Sequence, residues 1–200
     1  ILKWLGVSRQ VGKVRVQTTD SKHHWHRYPN LIKGVKPPRP NLIWVADLTY
    51  IRYGRDFIYL AVILDACSRA VRGWHLSEYL TCQALTRPAL EMALANGTPR
   101  IFHSDQGAQY AAWHHLEPLI DRGVEISMSE TGQPTQNGLV ERFIGLLKQE
   151  HVAYTEYETV EDARLQLKNW LEGEYMTERI HSSLGYLTPV EFEQIAWLQP

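Results

Sequence analysis

The rhythm of apolar and polar positions changes near residue 41. Before it, Tyr28-Pro29-Asn30, Pro37-Pro38 and Pro40 break every apolar run, so residues 1–40 read as an irregular arm ending in a Pro-rich hinge. After it, residues 42–51 are β-branched and aromatic and read as a strand. Gly54-Arg55-Asp56 is a turn. Residues 57–66 are almost wholly apolar, the pattern of a strand buried on both faces, and 70–77 read as a third strand. The short connections among these three predict antiparallel hairpins. A helix is expected over about 82–95, with Pro88 as a kink or a late start. A strand over 100–104, a helix over 111–122 and a strand over 124–129 follow. A polar loop at 130–137, with Gly132 and Pro134, precedes a helix over 138–152. Thr159 with Asp162 resembles a capping box opening a helix to about 177, and Thr188-Pro189-x-Glu191 is a stronger one opening the last helix. The order predicts an α/β domain, a mixed five-stranded sheet with helices on both sides. Residues 1–40 form the arm, 41–155 the core and 156–200 a helical extension of the same domain.

Composition narrows the classes. With 200 residues, 44% hydrophobic and 22% charged, the chain can build a core, and wholesale disorder is excluded. No apolar run approaches the roughly 20 residues of a membrane span, and Lys3 and Gly6 break the first residues as a signal peptide. Cys67 and Cys82 have no partner at metal-ligand spacing, which excludes a disulfide scaffold and a cysteine zinc site and points to a reducing compartment. A start at Ile1 leads us to expect a fragment of a longer protein.

The net charge of −1 hides an asymmetry. Residues 1–40 hold nine Lys/Arg against Asp20, and the remaining 160 residues hold 12 against 21 acids. A basic arm on an acidic body can neutralise phosphates, or it can be a solvated leader. The cluster His23-His24-x-His26 lacks a cysteine or acidic companion and reads as a solvated or DNA-facing patch, not a metal site. His114-His115 reads as helix surface.

Three carboxylates stand out by context. Asp47 interrupts an apolar strand. Asp105 follows the strand ending Ile101-Phe102-His103-Ser104, just before Gly107, beyond a strand's carboxyl end where α/β sheets build sites. Glu141 lies on the helix over 138–152. At roughly 100° per residue, Leu139, Val140, Phe143, Ile144 and Leu147 share one apolar stripe, while Glu141, Gly145 and Lys148 line another face. Gly145 leaves room there for a substrate backbone, or Glu141 is simply a solvated acid.

The blocks around these acids carry a resemblance. They are Trp44-Val45-Ala46-Asp47-Leu48-Thr49-Tyr50-Ile51, Leu64-Asp65-Ala66-Cys67-Ser68-Arg69, His103-Ser104-Asp105-Gln106-Gly107-x-Gln109-Tyr110, Asn137-Gly138-Leu139-Val140-Glu141-Arg142 and Arg179-x-His181-Ser182-Ser183-Leu184-Gly185-Tyr186. In this order they resemble the catalytic core of DDE transposases of the bacterial insertion-sequence, IS-three, OrfB-type kind, relatives of retroviral integrases. The resemblance covers roughly residues 17–195.

It implies an RNase H-like fold in which Asp47, Asp105 and Glu141 meet and hold two Mg2+ or Mn2+ ions. It implies in-line phosphoryl transfer that cleaves element ends and joins the 3′-hydroxyl to target DNA. The implied partners are DNA and further copies of the chain, with no membrane, in the bacterial cytoplasm at the nucleoid. Lys148 resembles the family's DNA-contacting basic residue, and Arg142, Gln136 and Asn137 are further DNA candidates, with Asn137 also a candidate helix cap. His103, Ser104 and Asp65 are candidates for orienting the ligating acids, or are structural. The roles of Arg179 and His181 do not follow from the resemblance. Two other readings stay open: an RNase H- or resolvase-like nuclease, and a remnant that only binds DNA or assembles.

Overall fold

The computed structural model describes residues 25–130, 134–196 and 198. His23, His24 and five of the arm's nine basic residues lie outside them.

Five strands form one sheet in the order β3-β2-β1-β4-β5. These are β1 (Ile43–Tyr53), β2 (Asp56–Asp65), β3 (Val71–Ser77), β4 (Ile101–Ser104) and β5 (Glu125–Met128). The pairs β1–β2 and β2–β3 are antiparallel hairpin pairs, and β1–β4 and β4–β5 are parallel. The sheet is therefore mixed, as the connection lengths require: β1 and β2 join through the two residues Gly54 and Arg55, whereas the parallel pairs need helical crossovers. The central β1 places Asp47 beside Val62 of β2, two residues beyond its last pairing with β4.

Alternation along β1 fills two cores. Ile43, Val45 and Ile51 face one, under helix α4 (Gly138–Glu150), and Trp44, Ala46 and Leu48 face the other. That second face is covered by α1 (Arg87–Leu94), α2 (Ala108–Ala111) and α3 (Trp113–Ile120). The helix expected over 82–95 begins as a π-helical turn, Cys82–Thr86, and Pro88 marks a late α start. Gly73 of β3 is required by packing: a Cβ there would collide with the Ala89 carbonyl oxygen of α1.

The helix expected over 111–122 is two helices, broken where Ala112 turns to extended backbone at ψ 137°. The break rotates His115 onto the core side with Leu116 and Leu119, wedged against Phe102 and Tyr110, and leaves His114 exposed. The surface assignment of His115 is thus corrected, and burial pushes its pKa down to about 3.

Helix α5 (Val160–Lys168) continues as π-helical turns through Asn169–Glu178, and α6 (Pro189–Ala196) closes the chain. Thr188 and Glu191 form the expected reciprocal capping box, at 2.8 and 3.2 Å. At α5 only half forms as expected. Thr159 accepts from the Asp162 amide, but the Asp162 carboxylate accepts from Glu158, one residue earlier.

Within the arm, residues 25–40 are irregular, as expected, and residues 29–31 lie against the β5 edge. Met128 donates its amide to the Pro29 carbonyl at 3.3 Å, and the Leu31 amide donates to Ser127 Oγ at 2.9 Å. This covers a sheet edge that would otherwise present unpaired backbone groups. No helix among the described residues is long and apolar enough to cross a membrane.

Asp65 closes the turn between β2 and β3. Its fully buried carboxylate accepts from the amides of Asn41, Cys67 and Ser68 at 2.6–3.0 Å and pairs with Arg72, which also pairs with Glu193 of α6. This fits the structural role among those considered for Asp65. Asp65→Asn should lower stability by about 2–3 kcal/mol, read as the midpoint of urea unfolding, because it removes charge-assisted bonds inside the fold.

Candidate active site

Three elements bring the acids within electrostatic reach of one another. Asp47 lies in mid-β1, facing α4 by the same alternation that turns Val45 and Ile51 there. Asp105 lies one residue past β4, and its Oδ1 accepts the Gly107 amide at 2.9 Å in a turn that opens α2. Glu141 sits in the first turn of α4, exposed, above the buried stripe of Val140, Phe143, Ile144 and Leu147. The apolar stripe fixes the helix's rotation, so the sequence's helical spacing aims Glu141 away from the core.

The carboxylates feel one another. Asp47, half-buried, has its pKa pushed up to about 8, first by burial, then by Asp105, with a smaller push from Glu141. The Leu48 amide, donating at 2.8 Å, and Lys148 pull the other way. Glu141 is raised by burial and by Asp105. As they stand, no three His, Cys, Asp or Glu side chains among the described residues converge at metal-holding distance. The donor set nevertheless fits a hard divalent cation: all three groups are carboxylates, and their mutual repulsion is relieved by positive charge between them. The residues that would hold it are Asp47, Asp105 and Glu141.

Lys148, half-buried, lies over the Tyr50 ring at 4.6 Å, with its charge close enough to Asp47 to stabilise the carboxylate. Gly145, one turn before it, is open: a Cβ there would meet nothing within 4 Å. Gln136 accepts from Asn30 at 2.8 Å and from the Glu130 amide at 2.7 Å, which ties the arm to the segment leading into α4. Asn137 is the residue before α4 but makes no side-chain cap. Its amide donates to the Ala46 carbonyl at 3.1 Å, next to Asp47, so tertiary contact with β1 has displaced the capping role. Arg142 is exposed beside Glu141.

The residues expected to orient the acids bond elsewhere in part. His103 meets Ser127 and Ser129 of the neighbouring strand at 2.8 and 3.2 Å, and burial holds its pKa at about 4, so it is neutral. Ser104 Oγ donates to the Asp105 backbone carbonyl at 2.9 Å. Asp65 belongs to the β2–β3 turn. In the C-terminal block, Arg179 grips Glu150 with two 2.7 Å bonds.

Sequence reasoning missed Tyr110. Its ring is buried, its hydroxyl has no hydrogen-bond partner, and both Asp47 and Asp105 raise its pKa together with burial. An unpaired buried hydroxyl costs about 1–3 kcal/mol, so its placement beside two carboxylates is held by packing alone. Its position five residues after Asp105 was the available signal.

Comparison with known proteins gives the family. Two models, both described as integrase core domain, match residues 37–134 and 122–189. The transposase for insertion sequence element IS904 of Lactococcus lactis is 35% identical over 170 residues, 83% of this chain and 67% of that protein. An uncharacterised 31 kDa protein of insertion element IS600 from Shigella sonnei is 34% identical, covering 88% and 66%. Transposase InsF for insertion sequence IS3A of Escherichia coli is 38% identical over 157 residues, covering 77% and 54%. The chain thus spans between about half and two thirds of these relatives' lengths. Among solved structures, a simian T-cell lymphotropic virus intasome in complex with PP2A regulatory subunit B56 gamma aligns with TM-score 0.69 at 20% identity, over 92% of this chain and 63% of that one. The HTLV-2 integrase catalytic core domain in complex with magnesium aligns with TM-score 0.60 at 19% identity, over 78% and 98%. These likenesses show the RNase H-like integrase fold. With the sequence matches running across both halves of the domain, the chain belongs to the integrase core family of DDE polynucleotidyl transferases, in the branch of the bacterial insertion-sequence transposases.

Proposed function

We propose that this chain is the strand-transfer core of a transposase, which cleaves element ends and joins the exposed 3′-hydroxyl to target DNA. The observation that carries the reading is the electrostatic coupling of Asp47, Asp105 and Glu141, three acids from a mid-sheet strand, a strand end and a covering helix. When bound there, a pair of Mg2+ or Mn2+ ions supplies activation of the attacking oxygen and charge stabilisation of the leaving one.

The chain's own residues do the rest. Gly107 and Leu48 amides fix the carboxylates' orientation from the protein side. Lys148, stacked on Tyr50, presents a fixed cation for a DNA phosphate beside the acids. Gly145 keeps the α4 surface between Glu141 and Lys148 low enough for a strand to approach. Arg142 adds a cation on the same helix, and the segment carrying Gln136 and Asn137 borders the site. DNA is the substrate, and a retroviral structural neighbour is described as an intasome and others as dimeric and trimeric cores, which supports action as a homo-oligomer on DNA. The bacterial relatives support action on the nucleoid in the cytoplasm.

The direct test incubates the chain with Mg2+ or Mn2+, a labelled duplex ending in a free 3′-hydroxyl, and a plasmid. Strand transfer appears as label covalently joined to the plasmid. Nicking with no joined product would replace this reading by a nuclease.

A further inference from the structure

Running on from the acids, the arm, α4 and the C-terminal segment line a cleft of about 1430 Å³ that begins at Glu141. Its floor is apolar, formed by Ile43, Val45 and Leu64 of the sheet and by Phe143. Its walls are basic, with Lys33 and Lys36 on the arm side and Arg69 and Arg142 on the other, beside the His181 ring, which burial first and then Arg179 and Arg69 keep neutral, with its pKa down at about 4. Two acids also line it. Glu130 is bonded to Gln136, and Glu141 belongs to the acid site.

Arg69 is the unusual member. Its Nη1 is buried and meets no hydrogen-bond acceptor, and His181 Nε2 is buried without a partner too. Among the described residues no carboxylate forms an ion pair with Arg69 or Arg142. The three groups are close: Arg142 acts on the charge of Arg69, and Arg69 on that of His181. Such an arrangement is unfavourable without an anion.

The backbone adds a second, independent sign. Arg69 has φ +66°, in the left-handed region that glycine adopts freely and that costs other residues roughly 1 kcal/mol or more. The turn enforces it. The Arg69 amide donates to the Asp65 carbonyl at 3.0 Å, and Tyr175 donates its hydroxyl to the Arg69 carbonyl at 3.0 Å. A strained arginine with an unpaired buried nitrogen stands where glycine would fold more easily, which points to a use for its side chain.

We infer that Arg69, Arg142 and the His181 ring form a phosphate seat, and that the cleft carries a DNA strand onward from the acids. The cation-lined walls track the backbone, and the apolar floor takes sugars and bases. This rests on the proposed strand-transfer reading only for its direction from Glu141; the seat itself is read by binding.

The test measures affinity of the full chain for a labelled DNA duplex with a single-stranded end, in EDTA, across salt concentration. Arg69→Gly should fold at least as well as the wild type, with an equal or higher Tm. It should weaken binding about tenfold and lower the salt slope by about one. Arg69→Asn, which also tolerates the turn, should behave alike, and Arg142→Ala should lower the slope similarly. Arg122→Ala, in the turn that follows α3 and outside the cleft lining, should leave the slope unchanged. Folded Arg69 and Arg142 variants with wild-type affinity and slope would overturn the seat. So would inorganic phosphate raising the wild-type Tm, but not the variants', while DNA affinity stays constant, since the cleft would then take a small anion. Because no metal is present, absence of strand transfer in the wild type would strike the proposed function and leave this result readable.

Discussion

Asp105→Asn is expected to abolish strand transfer, by at least about a thousandfold, or roughly 4 kcal/mol in the barrier, while the protein stays folded. The asparagine Oδ1 can still accept the Gly107 amide, so the turn that opens α2 survives. What disappears is one of three negative charges needed to hold divalent cations. Removing it also relieves repulsion on Asp47 and Glu141, both of which Asp105 raises, so the metal-free Tm should hold or increase. A joined-product assay with a Tm measured alongside separates the two effects. A folded variant that joins DNA within tenfold of the wild type would remove Asp105 from the chemistry.

The second large effect concerns pH and metal. The Asp47 carboxyl is held at about 8 against an ordinary 3.8. A raised folded-state value contributes stability that is fully present below pH 3.8 and is lost as pH rises through about 8. His103 and His115, lowered to about 4 and 3, act with the opposite sign but mostly below their ordinary 6.5. Over pH 7 to 8.5 Asp47 therefore dominates, with the residual titration of the lowered histidines, His75, His151 and His181 among them, offsetting part of its fall. Across it the metal-free protein should lose roughly 1 kcal/mol, or about 2–4 °C in Tm for a chain of this size. Asp47→Asn should flatten that fall and melt higher than the wild type at pH 8.5. Millimolar Mg2+ should restore the wild-type Tm at pH 8.5, by binding the folded state, and do little for the variant. Parallel pH profiles for the two proteins, with no response to Mg2+, would mean that Asp47 is neither strained by its neighbours nor a ligand.

The strands and the covering helices were readable because each has a strong local cause. β2 is apolar from Phe57 to Leu64 and had to be an interior strand, and the α4 stripe at helical spacing had to face the sheet. The Thr188–Glu191 box formed as read because all its partners lie within four residues. Errors arose where a distant partner intervened. Asn137 left its capping role for the Ala46 carbonyl, 91 residues away in sequence. His115 was turned inward by a helix break that Ala112 does not announce. Tyr110 stood in its block without a role until the fold set its ring where both Asp47 and Asp105 act on its hydroxyl.

By itself the sequence determined the order and type of the elements, the three acids, and the face of α4 that carries Glu141, Gly145 and Lys148. Periodicity and motif order are local properties and survive without coordinates. Only the tertiary structure decided what these residues meet. It put Lys148 on Tyr50, locked Asp65 into a turn through Arg72, which Glu193 also holds, and left Arg69 strained with a buried nitrogen unpaired above a basic cleft. Burial and charge coupling depend on which distant segments share a space, and a linear pattern does not contain that information.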